Sequence, residues 1–347
     1  MKINNRIINE NQSPFIIAEM SGNHNQSLEK AIKIVDEVKK SGADAIKLQT
    51  YKAETITLNS KRAEFTISNK KNLWKGQTLH SLFKKAYTPW EWHEKIFQYA
   101  KKIGLIYFSS PFDETAVDFL VKLKVPAIKI ASFENNHIPL IKKISTTNIP
   151  IIMSTGMASI KEIEESIKII KKNSKNSFAL LKCTSTYPAS PKNSNLKTII
   201  DMKKKFKCEI GLSDHTLGNG SAISAIAYGA TIIEKHFTLD RAEGGVDSQF
   251  SLEPQEFKKL VDECKEAWQA KGKIFYGPTP DEKNSLKYRR SIYAKKDIKK
   301  GEVFTAKNLT VIRPSKGLHP RYFEKIIGKV ATRNINFSQP IKKSFFK

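Results

Sequence analysis

The chain has 347 residues, a net charge of +26 and a mean hydropathy of −0.43, which predict a soluble globular protein with a sizeable core. No apolar run approaches the ~18 residues needed to cross a bilayer, so we expect no membrane partner. The N-terminal sequence MKINNRIINENQSPF lacks an apolar signal core and predicts a cytoplasmic location. Three widely spaced cysteines, Cys183, Cys208 and Cys264, fit neither a disulfide framework nor a zinc site.

The pI near 9.8 is typical of a nucleic-acid-binding protein. The lysines, however, are spread along predicted helix faces such as AIKIVDEVKK and DMKKKFK, and no nucleic-acid-binding motif accompanies them. We therefore expect solvated helix surfaces, whose local clusters can attract an anionic substrate, and no nucleic-acid partner.

The chain begins with a strand-helix-strand pattern. FIIAEM, residues 15–20, predicts a first strand, and residues 27–40 predict a helix with an apolar face. ADAIKLQ, residues 43–49, predicts a second strand, on which Lys47 and Gln49 share one face.

Residues 51–88 interrupt this pattern. The segment is too long for an ordinary connection, which indicates a role in substrate specificity or as a lid. The helix predicted at 90–104 returns the chain to the core. His80 and His93 have helical neighbours and are expected at the surface or in packing contacts.

Six further strands alternate with helices and complete the pattern of an α/β protein with a (β/α)8 TIM barrel, predicted for residues 1–272. A Pro- and Gly-containing linker is predicted at 273–287, followed by a small β-rich domain at 288–347. The later strands are expected at LIYFS (105–109), PAIKIAS (126–132), PIIMST (150–155), FALLKCTSTYP (178–188), the EIGLSDH segment from Glu209, and TIIEKHF (231–237).

Chemistry in parallel barrels gathers at the carboxyl ends of the strands. His215 and His236 end the last two strands, so together they predict a divalent-metal site, although either imidazole alone can simply cap a strand. Other polar residues at or just past strand ends are Glu19, Lys47, Gln49, Lys129, Ser132, Glu134, Ser154, Tyr187, Ser213 and Asp247.

Lys47 and Lys129 lie inside apolar strands, where an unpaired charge is costly. One interpretation is a structural ion pair with a nearby carboxylate. The other is a site for the phosphate and carboxylate of one small ligand, because hydroxyl residues accompany both lysines. Cys183 ends an apolar strand and is expected to be a buried small side chain.

Eight motifs occur in the order AEMSGNHN, DAIKLQTYKAETITL, SSPFD, AIKIASFE, STGMAS, CTSTYP, GLSDHTLG and EKHFTLD. Together they resemble the sialic acid synthase family over nearly the whole chain, and the tail resembles that family's SAF (antifreeze-like) domain. LNSKRAEFTI, TPWEWH, ASFE and CTSTYP most resemble its pseudaminic acid synthase branch. The closest alternatives are the legionaminate and N-acetylneuraminate branches, and a non-catalytic carbohydrate-binding barrel is an alternative of another class.

The resemblance implies that phosphoenolpyruvate condenses with an acetamido sugar and water, releasing phosphate and a nine-carbon 2-keto acid. It implies Mn²⁺ or Mg²⁺ on His215 and His236, proton transfer by Glu134, and a water positioned or activated by Glu19. It further implies a domain-swapped homodimer in which Arg313 reaches the partner's site. The resemblance assigns phosphoenolpyruvate binding to Lys47, Ser110, Lys129, Ser132, Ser154 and Ser213, and sugar contacts to Gln49, Tyr187 and Asp247.

Three positions depart from the commoner family pattern. Gln26 replaces a glycine after NHN, Phe133 replaces a glycine before Glu134, and Ser185 replaces an asparagine. The last two agree with the pseudaminate branch, and Gln26 does not. These departures argue against a simple transfer of N-acetylmannosamine as the substrate.

Overall fold

The computed structural model describes residues 1–68 and 73–347 and divides into two compact units, Met1–Gly272 and Lys273–Lys347. The first unit opens with an antiparallel hairpin of β1 (Lys2–Ile3) and β2 (Arg6–Ile7). Ile3 and Ile8 pack into the core beneath the barrel, so this hairpin, which precedes the first strand expected from sequence, covers the barrel's lower end.

Eight parallel strands then form a closed barrel, in which the last strand pairs with the first, and this confirms the predicted (β/α)8 fold. Closure leaves no strand edge exposed, and it aligns the carboxyl ends of all eight strands at one mouth. The strands are β3 (Phe15–Glu19), β4 (Ala45–Thr50), β5 (Ile106–Pro111), β6 (Ile128–Ile130), β7 (Ile151–Ser154), β8 (Phe178–Cys183), β9 (Glu209–Asp214) and β10 (Ile232–His236).

The helices begin and end as their sequences dictate, since polar caps such as Ser27, Asp113 and Ser159 satisfy free amides at helix starts. All of the helices except the second and third pack their apolar faces on the barrel in one continuous core. The helices are α1 (Leu28–Lys40), α2 (Ala53–Ile56), α3 (Leu79–Ala86), α4 (Trp90–Lys102), α5 (Glu114–Lys122), α6 (Ile138–Thr146), α7 (Ile160–Asn173), α8 (Thr198–Phe206), α9 (Gly220–Ala227) and α10 (Pro254–Lys271).

Two predicted strands exceed the observed ones by four residues or more. The strand expected at 178–188 ends at Cys183, and the chain next pairs at Ala189, which bridges Thr216. The strand expected at 126–132 ends at Ile130, and the next residues form a 3₁₀ turn.

The segment 51–88 contributes α2 and α3, and its residues 69–72 lie outside the described residues. Across the described ranges, no helix is long and apolar enough to cross a membrane.

The second unit pairs β11 (Ser291–Ala294) with β12 (Leu309–Ile312) and carries the short helix α11 (Phe323–Ile326). Isolated bridges extend the β-structure, and Ile292, Phe304 and Leu309 belong to its own apolar core. The division of this unit into a linker at 273–287 and a domain at 288–347 stays a prediction.

Gly211 in β9 lies where the neighbouring barrel strands leave no room for a side chain. A Cβ atom there would lie 2.3 Å from the Ile232 carbonyl oxygen and 2.6 Å from Leu181 Cδ2. Gly211→Ala is therefore expected to destabilise the protein by at least about 2 kcal/mol. Gly220→Ala, with no atom within 4 Å of the added Cβ, is the matched control and should melt at or above the wild-type temperature. Equal melting temperatures for the two variants, measured by calorimetry, would contradict this account.

Candidate active site

A cavity of about 510 Å³ opens at the carboxyl ends of the barrel strands. It brings together most of the residues singled out in the sequence. Ser110 lies beside the floor of this cavity, bonded to Lys47, whereas Arg313 is exposed in the second unit. The predicted residues that line the cavity are Glu19, Lys47, Gln49, Lys129, Ser132, Glu134, Ser154, Tyr187, Ser213, His215, His236 and Asp247.

Four buried charges form the floor. Lys47 makes an ion pair with Glu19, and Glu234 lies between the two lysines, 3.9 Å from Lys47 Nζ and 3.7 Å from Lys129 Nζ. Burial disfavours the ammonium of Lys47, but the Glu19 and Glu234 carboxylates outweigh burial and raise its pKa. At Lys129 burial dominates and lowers the pKa. The structural ion pairs considered from sequence are thus present.

Hydroxyl groups surround both lysines. Lys129 Nζ donates to Ser154 Oγ at 2.6 Å, and Lys47 Nζ donates to Ser110 Oγ at 3.3 Å. Ser213 Oγ donates to Glu234 at 3.0 Å. Because each ammonium has three N–H donors and each serine has a rotatable O–H, this floor can bind the oxygens of a small anion in addition to its internal carboxylates.

His215 and His236 lie side by side, with ring centroids 5.2 Å apart. His215 Nδ1 is 3.2 Å from the Thr184 carbonyl, which places the proton on Nδ1 and the lone pair on Nε2. Burial, and then the neighbouring His215, lower the pKa of His236 well below its usual range, so its imidazole is neutral.

Neutral imidazoles are the form that binds divalent cations, and His236 Nδ1 is a buried nitrogen without a hydrogen-bond partner among the described residues. The pair therefore fits a divalent metal ion. Among residues 1–68 and 73–347, no three or more His, Cys, Asp or Glu side chains are grouped so that they could hold a metal ion together. Water or substrate would complete the coordination of an ion held by these two histidines.

Aromatic and polar residues fix the imidazoles from one side. Tyr187 packs edge-on to His215 with centroids 4.6 Å apart, and Phe250 packs against His236 at 4.9 Å. Asp247 lies 3.8 Å from His236 Nδ1 and accepts a hydrogen bond from Ser21. These contacts limit how far either imidazole can turn.

Glu134 sits in the 3₁₀ turn after β6. Its Oε2 atom is buried and has no hydrogen-bond partner in the described chain. Burial, only partly offset by Lys129, raises the pKa of this carboxyl to about 7. A carboxyl group with this pKa can both donate and accept a proton near neutral pH.

The upper wall of the cavity is apolar. Segment 51–88 supplies Ile56, Ile67, Leu79, Leu82 and Phe83 to it. Phe133, 58% exposed, also lines the cavity, next to Glu134 in the chain. The cavity thus combines a charged floor with a hydrocarbon wall.

Sequence reasoning missed Glu234 as a site residue. On β10 Glu234 and His236 alternate with Lys235 and so share a face, which was the available signal. Lys235 points the other way into a buried ion pair with Asp214 at 2.6 Å. Ser21 was also missed, and no residue pattern identifies it.

Three secondary expectations are confirmed by burial. His93 is fully buried against Phe97, and His80 is buried with Nε2 3.3 Å from Glu54. Cys183 is buried at the end of β8, where its sulfur lies 3.8 Å from His215 Nδ1.

Comparison with known proteins identifies both units. The NeuB family model matches residues 34–276, and the SAF domain model matches residues 289–347. The chain is 43% identical to a pseudaminic acid synthase of Campylobacter jejuni subsp. jejuni serotype O:23/36 (strain 81-176), over the full length of both proteins.

Two further relatives have other names. An N,N'-diacetyllegionaminic acid synthase of Campylobacter jejuni subsp. jejuni serotype O:2 is 39% identical, with 94% of this chain and 98% of that protein covered. The crystal structure of an N-acetylneuraminic acid synthetase from Leptospira borgpetersenii, in complex with citrate, superposes with a TM-score of 0.74 at 33% identity, covering 83% of this chain and 95% of that one.

The raised pKa of Glu134 predicts a pH-dependent stability. Since the folded protein holds this proton up to about pH 7 and the unfolded chain releases it near 4.5, stability falls as the pH rises through that window. Glu134→Gln removes the titration. Its free energy of unfolding relative to wild type should rise between pH 5 and pH 8, by up to about 3 kcal/mol. Urea unfolding of both proteins across this range checks it, and a constant difference would refute the assignment.

Proposed function

This chain belongs to the NeuB family, and we propose that it catalyses the pseudaminic acid synthase reaction. In this reaction phosphoenolpyruvate, 2,4-diacetamido-2,4,6-trideoxy-L-altrose and water give pseudaminic acid and phosphate. The observation that carries the proposal is the floor of lysines and hydroxyls directly beside the histidine pair, at one mouth of the barrel. That floor suits a small dianionic substrate, and the adjoining space can receive an aldehyde.

We assign phosphoenolpyruvate to the floor. Lys47 and Lys129 neutralise its phosphate and carboxylate, and their existing partners Ser110 and Ser154 donate further hydrogen bonds. The remaining two hydroxyls, Ser132 and Ser213, complete the binding set. Held in this way, the enol carbon C3 faces the space beneath the apolar wall, where the sugar enters.

The reaction forms one carbon-carbon bond and, at C2, replaces the phosphate oxygen with a water oxygen. C3 of phosphoenolpyruvate attacks the aldehyde carbon of the open-chain sugar, and Glu134 delivers a proton to the aldehyde oxygen. Water then adds to the resulting cation at C2, and the C2–O bond to phosphate breaks to give the ketone. Of the two protons that water loses, one returns to Glu134 and one leaves with the phosphate. Glu19, paired with Lys47 and accepting a hydrogen bond from Gln49 at 3.1 Å, positions or activates that water.

His215 and His236 would hold the divalent metal, Mn²⁺ or Mg²⁺. Such an ion supplies Lewis-acid polarisation of the sugar carbonyl when bound. The chain's own part is to orient both imidazoles, through the Thr184 carbonyl and the packing of Tyr187 and Phe250.

The apolar wall favours a deoxy sugar. Side chains such as Ile56, Leu82 and Phe83 can pack against a C6 methyl group and acetamido methyls, but offer no partner to a C6 hydroxyl. Gln49, Tyr187 and Asp247 are the proposed polar contacts of the sugar. The legionaminate-pathway sugar, with the same substituents in another configuration, is the second candidate, and the 39% identical relative of that name favours keeping it.

Phosphate release tests the reaction. The protein with Mn²⁺ and phosphoenolpyruvate is offered the diacetamido altrose, its legionaminate-pathway counterpart and N-acetylmannosamine in parallel. We expect release with the altrose, loss of release after chelation, and recovery with Mn²⁺ or Mg²⁺. Preference for another sugar would refute the substrate assignment alone. Absence of turnover with all three, in folded and metal-loaded protein, would refute the reaction.

We propose that the enzyme is a domain-swapped homodimer in which the exposed Arg313 of one subunit completes the site of the other. As an enzyme that consumes phosphoenolpyruvate, it would work in the cytoplasm, where this metabolite is made.

Hybrid dimers test the swap. Arg313→Ala and Glu134→Gln homodimers are each expected to be inactive. Co-expressed with different tags and purified as the hybrid, they should regain about half of the wild-type activity, because one site then combines an intact barrel with an intact arginine. If each arginine served its own subunit, both hybrid sites would be defective and no activity would return.

A further inference from the structure

The loop between β3 and α1, residues 21–26 with sequence SGNHNQ, contains backbone conformations that L-residues rarely adopt. Ser21, Asn25 and Gln26 have φ angles of +46°, +48° and +56°. Asn tolerates this left-handed region because its short side chain can bond to the local backbone, which the longer Gln side chain does not do, and Gln also lacks the conformational freedom of glycine. Gln26 must therefore be held in place by contacts outside the loop.

The odd-numbered residues of the loop bind the segment that follows β10. Ser21 Oγ donates to Asp247, and Asn23 Nδ2 donates to the Phe237 carbonyl and to Ser251 Oγ, both at 2.8 Å. Asn25 Nδ2 donates to the Gly244 carbonyl at 3.1 Å. This side of the loop thus fixes the segment that carries Asp247.

The even-numbered residues bind the end of α3. A Cβ atom on Gly22 would lie 3.0 Å from Ala86 Cα, so the two backbones are in contact. His24 Nδ1 accepts from the Gln26 amide at 3.2 Å, which leaves the proton on Nε2 to donate to Thr88 Oγ1 at 3.1 Å. Burial lowers the pKa of His24 to about 4, so the imidazole stays neutral.

Gln26 completes this contact. Its Nε2 donates to the Lys85 carbonyl at 3.1 Å and to the Tyr87 carbonyl at 2.7 Å. Lys85 lies in the last turn of α3, so its carbonyl accepts no hydrogen bond from within the helix. The amide therefore caps the helix end, which a glycine at position 26 cannot do.

α3 is the helix that supplies Leu79, Leu82, Phe83 and Ala86 to the cavity wall. We propose that residues 21–26 form a two-sided brace that holds α3 over the cavity in register with the Asp247 segment. Gln26 is its positioning residue on the α3 side. The effect on substrate rests on the proposed function, whereas the effect on α3 itself does not.

Gln26→Gly separates strain from positioning, because it relieves the left-handed backbone and removes both amide hydrogen bonds. We expect an unchanged or higher melting temperature together with faster amide exchange across 79–88. The KM for the sugar should rise roughly fivefold, as loss of about one net hydrogen bond predicts, with kcat and the KM for phosphoenolpyruvate unchanged. Gln26→Glu keeps the size of the side chain but loses its N–H donor. It should show the same faster amide exchange and the same higher sugar KM as Gln26→Gly, but a lower melting temperature.

Lys207→Gly is the matched control. Lys207 also has a left-handed φ, +52°, but lies at the end of α8, where it contributes nothing to the cavity. This variant should gain stability and leave both exchange across 79–88 and the sugar KM at wild-type values. Wild-type exchange across 79–88 in Gln26→Gly would overturn the brace. Because exchange is measured on the substrate-free protein, this test stands even when no sugar is turned over.

Discussion

The burial of four charges at the barrel mouth is the constraint on which the rest of the site depends. Two ammoniums and two carboxylates, from Lys47, Lys129, Glu19 and Glu234, can stay ionised out of water only as one mutually paired group. Removing any one member leaves an uncompensated buried charge. The strands that carry them must therefore keep their register, and the closed barrel supplies that rigidity, because it has no edge at which a strand can slip.

This pairing also explains how a buried site can accept an anion without being positively charged when empty. Each lysine already has a carboxylate and a serine as partners, so the empty floor is near neutral and stable. An arriving phosphate or carboxylate competes for ammonium protons that are already oriented. The free energy needed to order these groups is spent when the protein folds and not when the anion binds, which is the advantage of a preorganised site.

The fold and most of the floor could be predicted from the sequence, because a strand-helix repeat fixes which strand ends meet. Lys47 and Lys129 were conspicuous as charges in apolar strands. Glu234 was missed although its alternation with His236 on β10 marks the same face, because its pairing with Lys47 and Lys129 joins strands that are distant in sequence. Gln26 was harder still. Its left-handed φ and its bonds to Lys85 and Tyr87 depend on where segment 51–88 returns to the barrel.

Floor and wall come from different parts of the chain. The floor is built by barrel strands, whose spacing is fixed by backbone hydrogen bonds. The wall comes from a segment held by side-chain contacts, such as those from Gln26 Nε2 to the Tyr87 carbonyl and from Trp74 Nε1 to the Val246 carbonyl. A change in the wall can therefore alter the sugar without disturbing the charges that the floor must keep paired. Relatives named for different nonulosonic acids can accordingly share one barrel at 39–43% identity with this chain. The determinant of the sugar should be sought above the floor, in α3 and in the loop that fixes it.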